Sequence, residues 1–372
     1  MEIYLDNAAT TKPIIDYAVK EHLTNAWYNP SAAYAPAAKV FIEMKKARQL
    51  LAEMIGFQSD VIFTSGGTEA NNMAVISAFR NNAHYITSAT EHPSVYESFR
   101  YLQTLGAEVD FVKPQGFCIN AKDVAGLVRE NTALVSIMHV NNETGALNDI
   151  EGICQTVKVR NPATLFHADG VQALFKTKID LVNSGIDYYS VSAHKIHALK
   201  GTGALLVGRN ATVSKLHHGG EQEFMLRPGS ENTLGIQAFY EALKRGISVF
   251  NEAIDKVSAL QEKLLDGLSA VSGSIVNIPI KKVPHIVNVS FVGVRAEVLV
   301  RVLGEKGIYI GTGAACSRGK TSRVLLESGV ERNAAEGAVR ISMSSMNTEK
   351  EIEIFIEELD KAVGKLRRFG KR

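Results

Sequence analysis

Cysteine is scarce in this chain of 372 residues, which contains only Cys118, Cys154 and Cys316. The three are far apart and form no Cys-x-x-Cys pair, which excludes a disulfide framework and a zinc site built from such pairs. An odd number of isolated thiols is typical of a reducing compartment, so we expect a cytoplasmic protein. One of the three can be a reactive thiol, but the count does not identify it.

The sequence also lacks a marked excess of charge, because 41 Lys and Arg are balanced by 39 Asp and Glu, giving a net charge of +2. This balance gives no reason to expect direct binding to nucleic acid. No apolar run approaches the length of a membrane span, and the N-terminal residues show neither the basic nor the hydrophobic part of a signal peptide. We therefore expect a globular protein with no membrane segment.

Short apolar runs alternate with helix-length amphipathic segments over the first two thirds of the chain. This alternation predicts an α/β fold, with a large domain whose mainly parallel, mixed sheet is flanked by helices. A long helical region begins near residue 235, and strand-like pieces and a final helix from Thr348 follow it. The expected domains are 13–248 for the large one, and 1–12 with 249–372 for a smaller α/β domain. The expected strands of the large domain are 61–64, 83–87, 108–112, 133–139, 164–168, 188–192 and 204–207.

Polar residues that can take part in catalysis or binding follow several of these strands. Ligands of open α/β sheets bind at this end of the strands. The segment "SGGTEANN" places Gly67 and Thr68 at the start of a helix, where amide groups and the helix dipole favour a phosphate. An ordinary helix cap explains the same residues equally well. The segment has neither the Gly-Lys-Ser/Thr of a Walker motif nor the G-x-G-x-x-G of a dinucleotide site.

Other strand ends carry His92 in "TEHPSV", Asn142 in "HVNNETG", and Asp169 with Gln172 in "HADGVQ". A lone histidine is most often structural. A partly buried carboxylate such as Asp169 needs a cation or several hydrogen-bond donors.

Lys195 follows a β-like run in "YYSVSAHK", and two closely spaced glycines come after it. Most lysines are solvated, but one at a strand end can be desolvated, and its neutral amine then attacks carbonyl groups. The spacing His194-x-x-His197 alone does not indicate a metal site, and none is expected. A lysine, a Gly-Thr phosphate site and an aspartate for a ring nitrogen together satisfy what pyridoxal 5′-phosphate requires.

The chain resembles the cysteine desulfurases of the class V aminotransferase family, within the fold-type I pyridoxal-phosphate enzymes. The likeness extends nearly from end to end, and the motifs occur in the family's order. They are "YLDNAATT", "SGGTEANN", "TEHPSV", "HVNNETG", "HADGVQ", "SAHK", "RPGSEN", "GTGAACS" and "VRISMSSMNTEKEI".

This resemblance implies that Lys195 is joined covalently to the cofactor, Asp169 pairs with its ring nitrogen and Gln172 faces its phenolic oxygen. His92 would stack on the ring and handle protons, and Asn142 would lie beside cofactor and substrate. Arg340 would bind the substrate carboxylate in a bidentate fork. The residues implied to hold the phosphate are Gly67, Thr68, Ser192 and His194, with Ser230 reaching the phosphate of the neighbouring subunit.

Cys316 matches the family's catalytic cysteine, and the residues around it favour the same role. It lies in a small, glycine-rich segment that is followed by Arg318, Lys320 and Arg323, which would stabilise the thiolate. Residues 315–321 are expected to form a mobile loop, because a persulfide must leave the pocket to reach an acceptor. Cys118 and Cys154 look like packing or turn residues.

The implied activity is the conversion of L-cysteine to L-alanine by a homodimer, with sulfur left on Cys316 as a persulfide. An acceptor protein of iron–sulfur cluster assembly or thiolation would then take the sulfur. An aminotransferase, a selenocysteine lyase and a catalytically silent scaffold are the alternatives. The chain departs from the family pattern at Ser230, where threonine is usual, and also at Tyr34, Ala198-Leu199 and Glu221.

Overall fold

The computed structural model describes residues 2–57, 60–209, 211–313 and 321–370, and these residues form twelve β-strands and eleven α-helices. The strands are β1 (Ile3–Leu5), β2 (Asp60–Thr64), β3 (His84–Ser88), β4 (Glu108–Val112), β5 (Thr132–Ser136), β6 (Leu165–Asp169), β7 (Tyr188–Ser192), β8 (Gly203–Val207), β9 (Ser274–Val276), β10 (Ile286–Phe291), β11 (Ile308–Thr312) and β12 (Ala338–Ser342). The helices are α1 (Tyr17–Asn25), α2 (Ala35–Ile55), α3 (Gly67–Ser77), α4 (Pro93–Thr104), α5 (Ala121–Leu127), α6 (Ile150–Arg160), α7 (Thr233–Ala270), α8 (Ala296–Gly304), α9 (Arg323–Glu327), α10 (Arg332–Glu336) and α11 (Glu349–Gly370).

The larger sheet has the strand order β2-β8-β7-β6-β5-β3-β4. All of its pairings are parallel except those of β8, which runs antiparallel to β2 and β7. The predicted mixed, mainly parallel sheet is thereby confirmed, and each of its seven strands overlaps a segment expected from the sequence.

Helices cover both faces of this sheet, because its central strands are buried on both sides. Tyr188 packs with helices α3 and α4, whereas the next residue, Tyr189, packs on the opposite face with α2, α6 and the start of α7. Burial on both faces explains why these strands read as continuous apolar runs rather than as alternating patterns.

The second sheet has the order β1-β11-β12-β10-β9 and combines strands from both ends of the chain. Its core is formed by the second half of α7, by α8 and by α11, with Leu5, Leu264, Phe291 and Phe355 fully buried. Helix α7 is 38 residues long and contributes to both cores. The domain boundaries at 12/13 and 248/249 remain a prediction.

Within the described residues, no helix is both long and apolar enough to span a membrane. The long helices α7 and α11 are amphipathic instead, with one apolar face packed against the second sheet.

Candidate active site

The carboxyl ends of the parallel strands border a cavity of about 280 Å³ between the two sheets. Most site residues predicted from the sequence line it. They are Gly67, Thr68, His92, Asn142, Asp169, Gln172, Ser192, His194, Lys195 and Arg340.

Two predicted site residues are not among the residues that line this cavity. Ser230 is exposed to solvent and lies just before α7. Cys316 lies outside the described residues, as do residues 315–320 of the loop that was expected to be mobile.

Lys195 ends a single turn of 3₁₀-helix that follows β7 directly. Its Nζ donates hydrogen bonds to the carbonyl oxygens of Ala8 (2.5 Å) and Ala9 (2.8 Å). The N-terminal segment therefore holds the lysine at the cavity wall, where the amine can reach a bound carbonyl compound.

Asp169 ends β6 and is buried at the bottom of the cavity. Its Oδ1 accepts a hydrogen bond from the Val171 amide (3.0 Å), and its Oδ2 accepts one from Asn71 Nδ2 (2.8 Å). These two donors are not cations, so the carboxylate can still accept a hydrogen bond from a protonated ring nitrogen.

Asn71 also connects Asp169 to His92 through a third residue. Its Nδ2 donates to Ser94 Oγ (2.9 Å), and Ser94 Oγ lies 2.7 Å from His92 Nδ1. Because Ser94 Oγ accepts from Asn71, its own proton is available to His92 Nδ1, which leaves the imidazole proton on Nε2. Burial lowers the pKa of His92, with Lys195, Arg323 and Arg340 acting in the same direction and Asp169 opposing them. Asn71 and Ser94 were not predicted from the sequence.

One end of the cavity has the features of a phosphate site. The start of α3 lies there, and Ser192 Oγ is buried without a hydrogen-bond partner among the described residues. A side chain at Gly67 would not fit, because its Cβ would lie 2.5 Å from Val171 Cγ2. Burial and the nearby Lys195 lower the pKa of His194 to about 4, so its neutral ring can donate a single hydrogen bond. The amides of α3 and the Ser192 hydroxyl suit an anion at this position.

Arg340 comes from β12 in the second sheet and also lines the cavity. Its side chain is only 1% exposed, with Nη1 donating to the Asn142 carbonyl (2.9 Å) and Nη2 donating to Asp6 Oδ1 (2.7 Å). Arg340 Nε and Asn142 Oδ1 are buried and have no partner among the described residues. The two groups that the sequence places near a substrate therefore both keep hydrogen-bonding capacity at the cavity.

Two buried carboxyl groups flank this arrangement. Burial raises the pKa of Glu91 to about 8, and burial raises that of Glu143 to about 7 even though Ser322 and two arginines oppose the shift. Glu143 Oε2 accepts a hydrogen bond from Ser322, the N-cap residue of α9. Arg323 of α9 donates to the carbonyls of Ala89 and Glu91 and stacks on Tyr96. The start of α9 is thus attached to residues next to His92 and Asn142, which line the cavity.

Comparison with known proteins gives matches over nearly the whole chain. The family described as aminotransferase class-V matches residues 3–355. The cysteine desulfurase NifS of Azotobacter vinelandii is 34% identical, over 98% of this chain and 94% of its own length. Among solved structures, one described as a NifS-like protein is 32% identical with a TM-score of 0.91, covering 97% of this chain and 99% of its own. Another, SspA in complex with cysteine, is 29% identical with a TM-score of 0.79, covering 92% and 99%.

Proposed function

The chain belongs to the class V aminotransferase family as a pyridoxal-phosphate-dependent cysteine desulfurase, and on this premise we propose that Lys195 holds the cofactor and Cys316 accepts the sulfur. The observation that carries the assignment is the convergence on one cavity of Lys195, Asp169 and the Ser192 hydroxyl, which no described residue contacts by a hydrogen bond. An amine, a carboxylate and an anion site are the three groups that pyridoxal phosphate needs from a protein.

The cofactor supplies an aldehyde for the amino group and a conjugated ring that withdraws electrons from the bound amino acid. Lys195 would bind the aldehyde and later move protons at the α-carbon of the substrate. Asp169 would keep a proton on the ring nitrogen, and the network through Asn71 and Ser94 would hold the neutral His92 ring against the cofactor. Thr68, Ser192 and the first amides of α3 would bind the phosphate, together with Gly67 and His194.

Arg340 would bind the carboxylate of L-cysteine. Nη1 and one N–H of Nη2 already have partners, so the bidentate contact would use Nε and the second N–H of Nη2. Asn142 Oδ1 is a further acceptor at this end of the cavity. In this orientation the substrate amino group would face Lys195.

The ends of the segment that carries Cys316 support its role, because both lie beside the cavity. On one side β11 pairs with β12 at Gly311 and Arg340, and on the other Ser322 contacts Glu143, next to Asn142. In the proposed step the Cys316 thiolate attacks the substrate sulfur and a sulfur–sulfur bond forms as the carbon–sulfur bond breaks. The electron pair of the broken bond remains with carbon, and protonation there gives L-alanine.

The persulfide on Cys316 would then supply an acceptor protein of iron–sulfur cluster assembly or thiolation. Because this chemistry needs a reduced thiol, we place the protein in the cytoplasm. A homodimer is supported by large apolar side chains that are more than half exposed in this single chain, Trp27, Phe224 and Met225. The segment with Phe224 and Met225 ends five residues before Ser230, which would act in the neighbouring subunit.

The test is to incubate the purified protein with L-cysteine and a reductant, and to measure alanine, sulfide and the visible absorbance of bound cofactor. Cys316→Ser should keep the absorbance and its response to L-cysteine but lose sulfide production, whereas Cys154→Ser, the buried control, should remain active. Lys195→Ala should lose the adduct that borohydride reduces onto the protein. Alanine released without a keto acid distinguishes the desulfurase from an aminotransferase, and turnover by Cys316→Ser would contradict the assignment of that residue.

A further inference from the structure

Lys176 lies behind the cavity, in the turns that follow β6, and makes a buried contact with Gln172. Its Nζ donates a hydrogen bond of 2.7 Å to Gln172 Oε1, and the two residues are 6% and 3% exposed. The backbone between them is fixed by turns in which the Lys176 amide donates to the carbonyl of Ala173. The lysine and the glutamine therefore form one rigid unit at the floor of the site.

This contact determines which way the Gln172 amide faces. An ammonium group can only donate a hydrogen bond, so Oε1 must point to Lys176. On its other side Gln172 Nε2 donates to the Ala8 carbonyl (2.8 Å), which can only accept. A flipped amide would place N–H groups against Lys176 and oxygen against oxygen at Ala8, so both neighbours impose the same orientation. One N–H of Nε2 remains available at the cavity.

We propose that Lys176 is a positioning residue that holds the Gln172 amide with its NH₂ group toward the cofactor, so that Gln172 donates to the phenolic oxygen. The proposal rests on the proposed function, which places pyridoxal phosphate in this cavity. Without Lys176 the amide oxygen could turn toward the phenolic oxygen, and two acceptors would then face each other.

The surroundings of Lys176 make its charged form unfavourable in the folded protein. Burial lowers its pKa to about 7, and Lys195 and Arg340 act in the same direction. The other titratable groups that interact with it are His194, His197 and His285, which are not anions. The neutral amine still donates through its N–H but can also accept, so at higher pH the orientation of Gln172 depends more on the Ala8 carbonyl, which can only accept. Replacing a buried cation in such a place by an apolar residue is often stabilising, which argues against a purely structural role.

The experiment is a pH titration of the visible absorbance of bound cofactor in Lys176→Met. A hydrogen bond donated to the phenolic oxygen stabilises its negative charge and so lowers the proton affinity of the attached Lys195 nitrogen. Losing that bond should raise the pH midpoint by roughly one unit. Lys176→Arg, which keeps a cationic donor, should restore most of the difference. Lys178→Met, an exposed lysine two residues away, should leave the midpoint unchanged.

A double variant separates positioning from a direct effect of charge. If Lys176 acts through Gln172, most of the shift caused by Lys176→Met should disappear in a Gln172→Leu background. The apo form of Lys176→Met should also melt at no lower temperature than the unmodified apo protein. An equal shift in both backgrounds, no shift at all, or a large loss of melting temperature would each overturn the proposal. If the unmodified protein shows no cofactor absorbance with added pyridoxal phosphate, the proposed function fails first and this inference fails with it.

Discussion

Arg340 donates a hydrogen bond from Nη2 to Asp6 Oδ1 at 2.7 Å, and the backbone of Gly311 packs directly against this pair. The contact joins β12 to the segment after β1, which brings residues from opposite ends of the chain to the same side of the cavity. It also turns the guanidinium group so that Nε has no partner among the described residues. If Arg340 binds the substrate carboxylate as proposed, its orientation would be set by a residue, Asp6, that does not itself touch the substrate.

We predict that Gly311→Ala impairs use of L-cysteine without loss of the cofactor. A Cβ at this position would lie 2.7 Å from Asp6 Oδ1 and 3.0 Å from Arg340 Nη2, so the pair must shift. A small displacement of a substrate-positioning group lowers kcat/KM by roughly 10- to 100-fold. Steady-state alanine production measures this effect. Gly364→Ala on α11, where a Cβ would meet no atom within 4 Å, is the control. Unchanged kinetics in Gly311→Ala would exclude a substrate role for the Arg340–Asp6 pair.

A second prediction concerns the anchor of the segment that carries Cys316. Ser322 Oγ donates to Glu143 Oε2 (2.5 Å) and accepts from the Leu325 amide (3.1 Å), which caps α9. Ser322→Ala removes the cap and the partner of a buried carboxyl group, which should cost about 1–2 kcal/mol of unfolding free energy. Alanine production should fall while the cofactor absorbance is kept.

Urea denaturation measures the stability part of this prediction. Ser328→Ala serves as the control. Ser328 follows the last residue of the same helix, and its hydroxyl donates only to the Val324 carbonyl. If both variants are equally stable and equally active, the contact between Ser322 and Glu143 does not anchor the segment.

A third prediction follows from the burial of Glu91 next to His92. Its pKa is raised from 4.5 to about 8 in the folded protein, so the folded state holds a proton that the unfolded state releases. The stability that this proton provides is complete below pH 4.5 and is lost as the pH rises toward 8. Glu91→Gln is neutral at every pH and should gain stability relative to the unmodified protein, by up to about 1.4 kcal/mol per pH unit in this window.

Urea unfolding at pH 5 and pH 8 measures the change for Glu91→Gln. Glu97→Gln on the exposed side of α4 is the matched control for the loss of one carboxylate. A difference between Glu91→Gln and the unmodified protein that stays constant over this range would show that Glu91 is ionised in the fold.

The sequence predicted the larger sheet well because its central strands are buried on both faces. Runs such as Tyr188–Ser192 and Gly203–Val207 are continuous and lie between helical segments. The three-residue strands β1 and β9 were missed because so short a run has no periodicity. Strand β12 was missed because the fully buried Arg340 interrupts its apolar pattern.

At the site, most residues predicted from motifs line one cavity, whereas Ser230 does not line it and Cys316 lies outside the described residues. The family, fold class and cofactor are confirmed. The residues that orient them were not predicted, because their roles depend on contacts across the fold. Asp6 contacts Arg340 although the two are 334 positions apart in the sequence, and Asn71 contacts Asp169 at a separation of 98 positions. Asn71 had a local signal, since it lies one helical turn after Gly67, on the same face of α3. Lys176 had none that distinguishes it from a surface lysine.

The last prediction concerns Ser230 and the oligomeric state. A phosphate bound at the start of α3 needs more donors than one helix terminus provides, and Ser230 is exposed in the single chain, where it can face a second copy. We expect a homodimer in solution in which each Ser230 donates to the cofactor phosphate of the other subunit. Cofactor binding and dimerisation would then stabilise each other.

Ser230→Ala should therefore weaken cofactor retention by roughly 1–3 kcal/mol, about 5- to 150-fold in the dissociation constant. Equilibrium dialysis at several protein concentrations, combined with light scattering, measures retention and mass together. Ser214→Ala, another exposed serine, is the control. Because the donor would come from the partner, dilution of the unmodified protein below its dimer dissociation constant should release cofactor, and this dependence on concentration should weaken in Ser230→Ala. A monomer that keeps its cofactor as tightly as the dimer would rule out a donor in trans.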